Sequence, residues 1–165
     1  MVKFYVVVVS DRIFKGEAKD ESGVYTVNEL RGNGHEVVGY KVIPNNEKFI
    51  RETIEECEKL SVEVLLFIGG TGIGPKDITV DVIKGMNVKV IPGFGELFRF
   101  LSFQVEGLKA WLSRAEAFIY KGKTLIFTLP GSIRAVTLAL KLIILKEINH
   151  AIEMMKGKSH WIKKQ

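Results

Sequence analysis

The sequence predicts an α/β fold: a three-layer, doubly wound, mostly parallel sheet with helices on both faces and a small β-hairpin. Short apolar runs alternate along the chain with segments whose apolar residues recur at helical spacing, which is the pattern of repeated βαβ units. The first run, residues 4–9, contains no charged residue. Strands buried on both faces of a parallel sheet need such continuous runs.

The amino-terminal half is predicted to contain three strands and two helices. The strands are the apolar runs over residues 4–9, 37–43 and 62–68. Three apolar residues at helical spacing, Val24, Val27 and Leu30, predict a helix of about ten residues. The glycine-rich segment that follows them would end this helix. A second helix opens after Pro44-Asn45-Asn46 and is predicted to bury one face: Ile50, Ile54 and Cys57.

The carboxyl-terminal half is predicted to add a fourth strand, a hairpin and a long helix. A short helix begins near Thr79, residues 88–91 form a strand, and a helical segment surrounds residues 96–104. The hairpin pairs residues 118–120 with residues 124–129. The last helix, from residue 134 to about 155, is apolar over much of its circumference and therefore needs cover on more than one side.

The composition indicates one compact domain over residues 1–165. The chain is 47% apolar and 26% charged, as in globular proteins of this length. Its single Cys excludes an internal disulfide, and three scattered His argue against a zinc site. The sequence contains neither a signal-peptide pattern nor about 20 consecutive uncharged apolar residues. We therefore expect a cytoplasmic protein that binds no membrane.

The formal charge of +5 arises from 24 Lys and Arg against 19 Asp and Glu, spread along the chain. Nucleic-acid binders usually concentrate their basic residues in a stripe, so this distribution favours small anionic molecules and no nucleic acid. One basic cluster occurs at the end of the sequence, over residues 156–165. We expect about the last nine residues to form a flexible tail.

The functional site is expected at the carboxyl ends of the first and third strands, where ligands of open α/β sheets bind. A strand order of two, one, three would bring the loop Ser10-Asp11-Arg12 beside the glycine-rich loop over residues 69–77. Glycines let several N–H groups converge on an anion such as phosphate. The loop is neither a Walker A motif, because Pro75 intervenes, nor a dinucleotide fingerprint. A glycine-rich turn between a strand and a helix can also have a purely structural role, without binding an anion.

Five motifs, in order along the chain, resemble the MogA/MoaB family of molybdenum-cofactor biosynthesis proteins. They are Ser10-Asp11-Arg12, the Gly-Gly-Thr-Gly and Lys-Asp-Ile-Thr of residues 69–72 and 76–79, residues 92–96, Leu112-Ser113-Arg114, and Leu129-Pro130-Gly131-Ser132. The resemblance extends over roughly residues 3–155. Related domains with the same loop occur in the molybdenum insertase and in competence-associated proteins.

The resemblance implies an enzyme, a molybdopterin adenylyltransferase that transfers AMP from ATP to molybdopterin with Mg²⁺ and releases pyrophosphate. It implies Asp77 as the catalytic, metal-binding carboxylate. The substrate-binding residues it implies are Ser10, Asp11, Arg12, Gly70, Thr71, Gly72, Ser113, Arg114, Gly131 and Ser132. It also implies a homotrimer or homohexamer that works with the molybdenum insertase. The apolar last helix favours an oligomer independently, by offering surface to a neighbour.

Several polar residues in and beside these motifs also have a structural interpretation. Asp11 and Asp81 could charge helix amino termini. Several basic residues could be solvated surface charges: Arg12, Lys76, Arg114 and Arg134. Hydroxyl side chains could bind backbone as scaffolding or caps instead of ligand: Thr71, Ser113 and Ser132.

Three positions depart from the family pattern. Asn45 stands where many members have Asp, Lys76 where Arg is commoner, and Ile133 where Pro is common. Asparagine brings no charge to Mg²⁺, so position 45 raises a second hypothesis: a non-catalytic molybdopterin-binding or scaffold protein. A third is a nucleotide-hydrolysing relative of the competence-associated domain.

Overall fold

A computed structural model of the chain describes residues 1–158; the expected tail lies mostly outside the described residues. A six-stranded sheet with the order β2-β1-β3-β6-β5-β4 forms the centre. Its strands are β1 (Lys3–Val9), β2 (Glu36–Ile43), β3 (Val64–Ile68), β4 (Val88–Ile91), β5 (Glu116–Tyr120) and β6 (Thr124–Leu129). The first four strands in that order are parallel. β5 pairs antiparallel with both β6 and β4, so it alone of the six strands runs in the opposite direction. The predicted fold class and hairpin are confirmed.

Helices connect the strands on both faces. They are α1 (Asp11–Phe14), α2 (Ser22–Gly32), α3 (Glu47–Lys59), α4 (Thr79–Lys84), α5 (Pro92–Glu106), α6 (Ile133–Ala139) and α7 (Leu145–Met155). A 3-10 helix, Gly107–Leu112, follows α5, and a π-helical segment, Leu140–Ile144, joins α6 to α7. The predicted last helix is therefore present but wound more loosely in its middle.

Alternate residues of β1 enter two separate cores. Phe4, Val6 and Val8 pack with α2, α5, α6 and α7 on one face of the sheet. Tyr5, Val7 and Val9 pack with α3 and α4 on the other face. Both sets are buried. This two-sided burial is the physical reason for the unbroken apolar run, since neither face of the strand contacts water.

The helix faces match the predictions with one exception. Ile50, Ile54 and Cys57 of α3 are fully buried, as predicted. In α2, Leu30 and Val27 are buried, but Val24 is half exposed. Successive steps of three residues rotate by about 60° around a helix, so Val24 has turned away from the sheet that Leu30 faces.

Intramolecular packing covers most of the last helix, contrary to our expectation of surplus apolar surface there. Val136, Leu140, Ile144 and Ile148 are all buried in the α2–α5 core, and Leu142 is the large exposed aliphatic side chain of the π-helical segment. The exposed apolar side chains concentrate instead on α5 and the 3-10 helix. Within residues 1–158, no helix has the length and apolar character that crossing a membrane requires.

Candidate anion-binding site

Four loops meet at the carboxyl edge of the parallel strands. The N–H of Gly69 after β3 donates to the carbonyl of Leu129 in β6 (2.8 Å), and the N–H of Ser10 after β1 donates to the carbonyl of Ile43 in β2 (2.9 Å). These bonds follow from the order β2-β1-β3-β6. The predicted neighbourhood of the first-strand loop and the glycine-rich loop is confirmed.

Glycine is required at the start of the glycine-rich loop. Gly69 has φ +109°, and a Cβ there would lie 2.2 Å from the carbonyl oxygen of Val9. Gly70 has φ +71°, and its Cβ would lie 2.2 Å from Oγ1 of Thr79. Thr79 in turn holds the loop, because its hydroxyl donates to the Gly69 carbonyl (3.0 Å) and its N–H donates to the Gly70 carbonyl (3.2 Å). A side chain at either glycine would break this close packing.

The same loop presents unpaired amides. Within residues 1–158, no acceptor bonds the N–H groups of Gly70, Thr71 and Gly72. Gly70 and Gly72 are partly exposed, whereas Thr71 is buried. Backbone N–H groups withdrawn from water need partners, and three consecutive free ones can bind the oxygens of an anion. The loop therefore has the donors that phosphate recognition needs.

Asp77 is the last residue of the glycine-rich loop, and its carboxylate folds back onto the loop. Its Oδ2 accepts the N–H of Gly74 (2.9 Å), and a Cβ on Gly72 would lie 2.8 Å from the same oxygen. No protein donor bonds its other carboxylate oxygen, as far as residues 1–158 show. The carboxylate therefore lies beside the unpaired amides, and one of its oxygens is available to bind a ligand.

Asp11 and Asn45 border the loop from the other two strands. Oδ1 of Asp11 accepts the N–H of Asn45 (2.9 Å), and its Oδ2 lies 3.9 Å from Nζ of Lys76. The side-chain oxygen of Asn45 would lie 3.2 Å from a Cβ on Gly70. Asp11 also begins α1. It therefore charges a helix terminus, as one interpretation held, and also joins the loops after β1, β2 and β3.

Arg114 is bound to the protein and is not a solvated surface charge. Its guanidinium forms a two-pronged ion pair with Asp81, with Nη1 to Oδ1 at 2.7 Å and Nη2 to Oδ2 at 2.9 Å. It also donates to the carbonyls of Gly72 (2.7 Å) and Asp77 (2.6 Å). The hydrogen bonds from Arg114 hold the pKa of the Asp81 carboxyl below its usual range. The interpretation of Asp81 as only a helix-terminal charge is therefore incomplete.

The predicted serines make local backbone contacts. Oγ of Ser10 accepts from Ile13 at the start of α1 (3.3 Å), and Oγ of Ser132 accepts from Ala135 at the start of α6 (3.2 Å). Oγ of Ser113 accepts the N–H of Ala115 (3.3 Å). Ser10 and Ser132 therefore cap helices, as the structural interpretation predicted for Ser132, whereas the Ser113 hydroxyl binds local backbone before β5 and caps no helix. Each hydroxyl keeps a proton that it can donate.

The remaining residues singled out in the sequence are divided between the exposed rim of the site and the packed loops. Arg12 and Arg134 are exposed, and within the described part of the chain neither forms an ion pair. Gly131 packs over Gly69, since a Cβ on it would lie 3.9 Å from the Gly69 Cα, and its carbonyl accepts the Ser22 hydroxyl (2.7 Å). Thr71 is buried, and its carbonyl accepts the Arg114 N–H (2.8 Å).

Two recesses flank the loop that follows β6, and Ser132 lines both. The first lies toward β1 and α2, and its polar lining includes Ser10, Lys19, Asp20 and Ser22. The second lies between α5 and α6, and its polar lining includes Ser102, Lys109, Ser113 and Arg134. Sequence analysis missed Lys19 and Lys109, because no motif or spacing distinguishes them from surface lysines.

Comparison with known proteins identifies the family. Residues 5–150 match the family described as probable molybdopterin binding domain. The chain belongs to this family. Among curated relatives, the probable molybdopterin adenylyltransferase of Methanocaldococcus jannaschii is 40% identical over 157 residues, 92% of each chain. The molybdopterin adenylyltransferase of Pyrococcus furiosus is 38% identical over 154 residues, covering 92% of this chain and 89% of the relative.

Solved structures of the family share the whole architecture. The tungsten cofactor synthesizing protein MoaB from Pyrococcus furiosus matches with a TM-score of 0.87 at 36% identity, covering 94% of this chain and 97% of that chain. The protein CinA from Thermoplasma acidophilum matches with a TM-score of 0.66 at 18% identity, which shows a common fold alone. The resemblance drawn from the five motifs is confirmed.

Proposed function

We propose that this protein is a molybdopterin adenylyltransferase that transfers AMP from ATP to the terminal phosphate of molybdopterin. One observation carries the proposal: three unpaired amides, Gly70, Thr71 and Gly72, lie at the carboxyl edge of the sheet close to the loop that two recesses flank. A reaction that joins two anionic substrates needs two binding regions that converge on shared phosphate donors. The names of the curated relatives support this choice of substrates.

In the proposed reaction an oxygen of the molybdopterin phosphate attacks the α-phosphorus of ATP. The new bond joins that oxygen to the α-phosphorus, and the bond from the α-phosphorus to the oxygen bridging it to the β-phosphorus breaks, so pyrophosphate leaves with that oxygen. The protein's task is to hold the two phosphates in line and to neutralise their charge. The loop amides donate hydrogen bonds to the phosphates. Positive charge at the rim comes from Arg12, Lys109 and Arg134.

Magnesium is part of the proposal, and the residues fit it. Within residues 1–158, no three His, Cys, Asp or Glu side chains cluster as a metal site would. Mg²⁺ needs no such cluster, because it usually takes one or two carboxylates together with substrate phosphates and water. The free oxygen of Asp77 is one suitable ligand, and Asp11 is a second carboxylate at the same loops. When bound, the ion would neutralise phosphate oxygens.

Asn45 keeps a second candidate function open, that of a molybdopterin-binding scaffold without turnover. Its side chain borders Gly70 at the place where a carboxylate could reach the metal, and it brings no charge. Asp11, which binds the Asn45 backbone, can supply a carboxylate nearby and so supports the enzyme.

Mass spectrometry of molybdopterin incubated with ATP, Mg²⁺ and the protein tests these functions. Adenylylated molybdopterin and pyrophosphate are expected. Molybdopterin that is bound but chemically unchanged would favour the scaffold function over the enzyme. AMP or ADP released without molybdopterin would favour a nucleotide hydrolase.

The proposed enzyme is a homotrimer or homohexamer that works in the cytoplasm and delivers its product to a molybdenum insertase. Exposed aromatic side chains on α5 and the 3-10 helix support self-association: Phe100 (59% exposed), Phe103 (52%) and Trp111 (71%). Exposed apolar groups concentrated on one element mark an interaction surface. Light scattering at micromolar concentration should give the mass of an oligomer, and Phe103→Asp should lower it. A monomeric wild type would contradict the oligomer.

A further inference from the structure

We propose that Arg114 and Asp81 are positioning residues that hold the glycine-rich loop in its anion-binding shape, so that Arg114 acts through the loop and not by contacting substrate. This inference rests on the proposed function, because it assumes that the loop amides bind phosphate. It assigns to the pair a role distinct from the substrate contact that motif resemblance implied.

Acceptors within the protein occupy almost all the hydrogen-bond donors of the Arg114 guanidinium. An arginine side chain offers five N–H donors, and four hydrogen bonds from Arg114 go to Gly72, Asp77 and the two oxygens of Asp81. Its charge is balanced by the Asp81 carboxylate. A substrate phosphate would therefore have to displace Asp81 before it could take more than one donor from this side chain.

The acceptors of Arg114 lie where the loop needs support. Gly72 carries the last of the three unpaired amides, and Asp77 carries the proposed metal ligand. By donating to both carbonyls, the guanidinium fixes the two ends of the segment 72–77. The backbone N–H of Arg114 also donates to the carbonyl of Thr71 (2.8 Å). One residue thus binds the loop at three points.

The attachment of Arg114 is itself braced from α5. Nη1 of Arg99 donates to the carbonyls of Ser113 (3.3 Å) and Ala115 (2.8 Å), which lie on either side of Arg114. The backbone that carries Arg114 is therefore tied to a helix packed in the core, and the loop is tied to that backbone. Lysine cannot replace the planar fork of arginine in such a set of bonds.

Asp81→Asn separates positioning from substrate contact because the two roles predict opposite results. Asparagine keeps one acceptor but loses the charge and the second oxygen. If Arg114 contacts substrate, this change frees a positive guanidinium, so KM should fall and kcat should hold. If the pair positions the loop, kcat should fall by about 10- to 100-fold, as for other small displacements of reacting groups, while KM for ATP changes less.

Arg114→Lys keeps the charge but loses the fork, and should therefore lower kcat like Asp81→Asn. The double variant should be no worse than the poorer single variant, because residues that act as a unit are not additive. Glu58→Gln is the matched control, since Glu58 pairs with Lys121 at 2.9 Å at the opposite edge of the sheet. It should leave kcat and KM unchanged.

Hydrogen exchange of the substrate-free protein tests the proposal without turnover. The hydrogen-bonded amides of the segment 72–77, those of Gly74 and Asp77, should exchange on the order of tenfold faster in Asp81→Asn. Tm should stay as close to the wild-type value as it does in Glu58→Gln, because local opening can occur without global unfolding. Unchanged exchange in this segment, a lowered KM with full kcat, or full activity in Arg114→Lys would each overturn the positioning role. If the wild type transfers no AMP, the proposed function fails, and the exchange result alone decides the role of the pair.

Discussion

Replacing Gly70 by Ala tests how tightly the anion-binding loop is packed, and Gly122→Ala supplies a matched reference. Both glycines have φ +71°. A Cβ on Gly122 would meet nothing within 4 Å, whereas a Cβ on Gly70 would lie 2.2 Å from Oγ1 of Thr79. The two substitutions therefore share the cost of a left-handed backbone and differ in the steric conflict.

The magnitudes follow from these contacts. Alanine in the left-handed region costs about 1–2 kcal/mol, which is the whole effect expected at Gly122. At Gly70, overpacking adds about 1–3 kcal/mol. Thr79 must also move, and losing its hydrogen bond to the Gly69 carbonyl adds about 1 kcal/mol. Gly70→Ala should therefore lower the free energy of unfolding by about 3–6 kcal/mol.

Equilibrium urea unfolding of the wild type and the two variants measures this difference, provided the m-value stays constant. Gly131→Ala completes the series, because its Cβ would meet its nearest neighbour at 3.9 Å, an ordinary contact. It should change the free energy of unfolding by less than about 0.5 kcal/mol. Equal losses for Gly70→Ala and Gly122→Ala would refute the close packing of Gly70 against Thr79.

Three further predictions concern metal binding and the buried thiol. Asn45→Asp should raise turnover or lower the Mg²⁺ requirement by about 10- to 100-fold, and no change in a folded variant would place position 45 outside the metal site. Asp77→Asn should raise the Mg²⁺ concentration for half-maximal turnover more than Asp81→Asn does, because the first removes a metal-binding carboxylate and the second only loosens the loop that carries it; equal shifts would contradict the separate roles. Burial raises the pKa of the Cys57 thiol from about 9 to about 12. Its stabilising contribution should be full below pH 9 and decline as the pH rises toward 12, so the free energy of unfolding should depend less on alkaline pH in Cys57→Ala. Thiol reagents at pH 8 should label the wild type only as fast as it unfolds.

The position of the site could be predicted from the sequence because its signals are local. The apolar run of β1 is followed directly by Ser10-Asp11-Arg12, and the apolar run of β3 is followed directly by the glycines of its loop. The parallel arrangement then places both loops at one edge of the sheet. The short helix beginning at Thr79 and the buried face of α3 were predicted for the same reason, since helical spacing and turn residues act over one or two turns.

The roles of individual polar residues could not be predicted in this way. Ser10 and Ser132 precede helices, so their capping contacts were foreseeable from neighbouring residues. Nothing near Arg114 in the sequence points to Asp81, which lies 33 residues earlier. The covering of the last helix likewise depends on α2 and α5, which are distant in sequence and contribute side chains to the same core.

Short stretches of the sequence are enough to predict which segments become strands and helices and which loop carries the glycines, because backbone conformation and burial pattern are encoded within a few residues. Which charges pair and which apolar surfaces stay exposed depends on the assembled fold. Arg114 is a positioning candidate only because the fold brings it within hydrogen-bonding distance of Gly72, Asp77 and Asp81. Side-chain hydrogen bonds act over about 3 Å and depend on direction, so their partners are set only once the sheet has assembled.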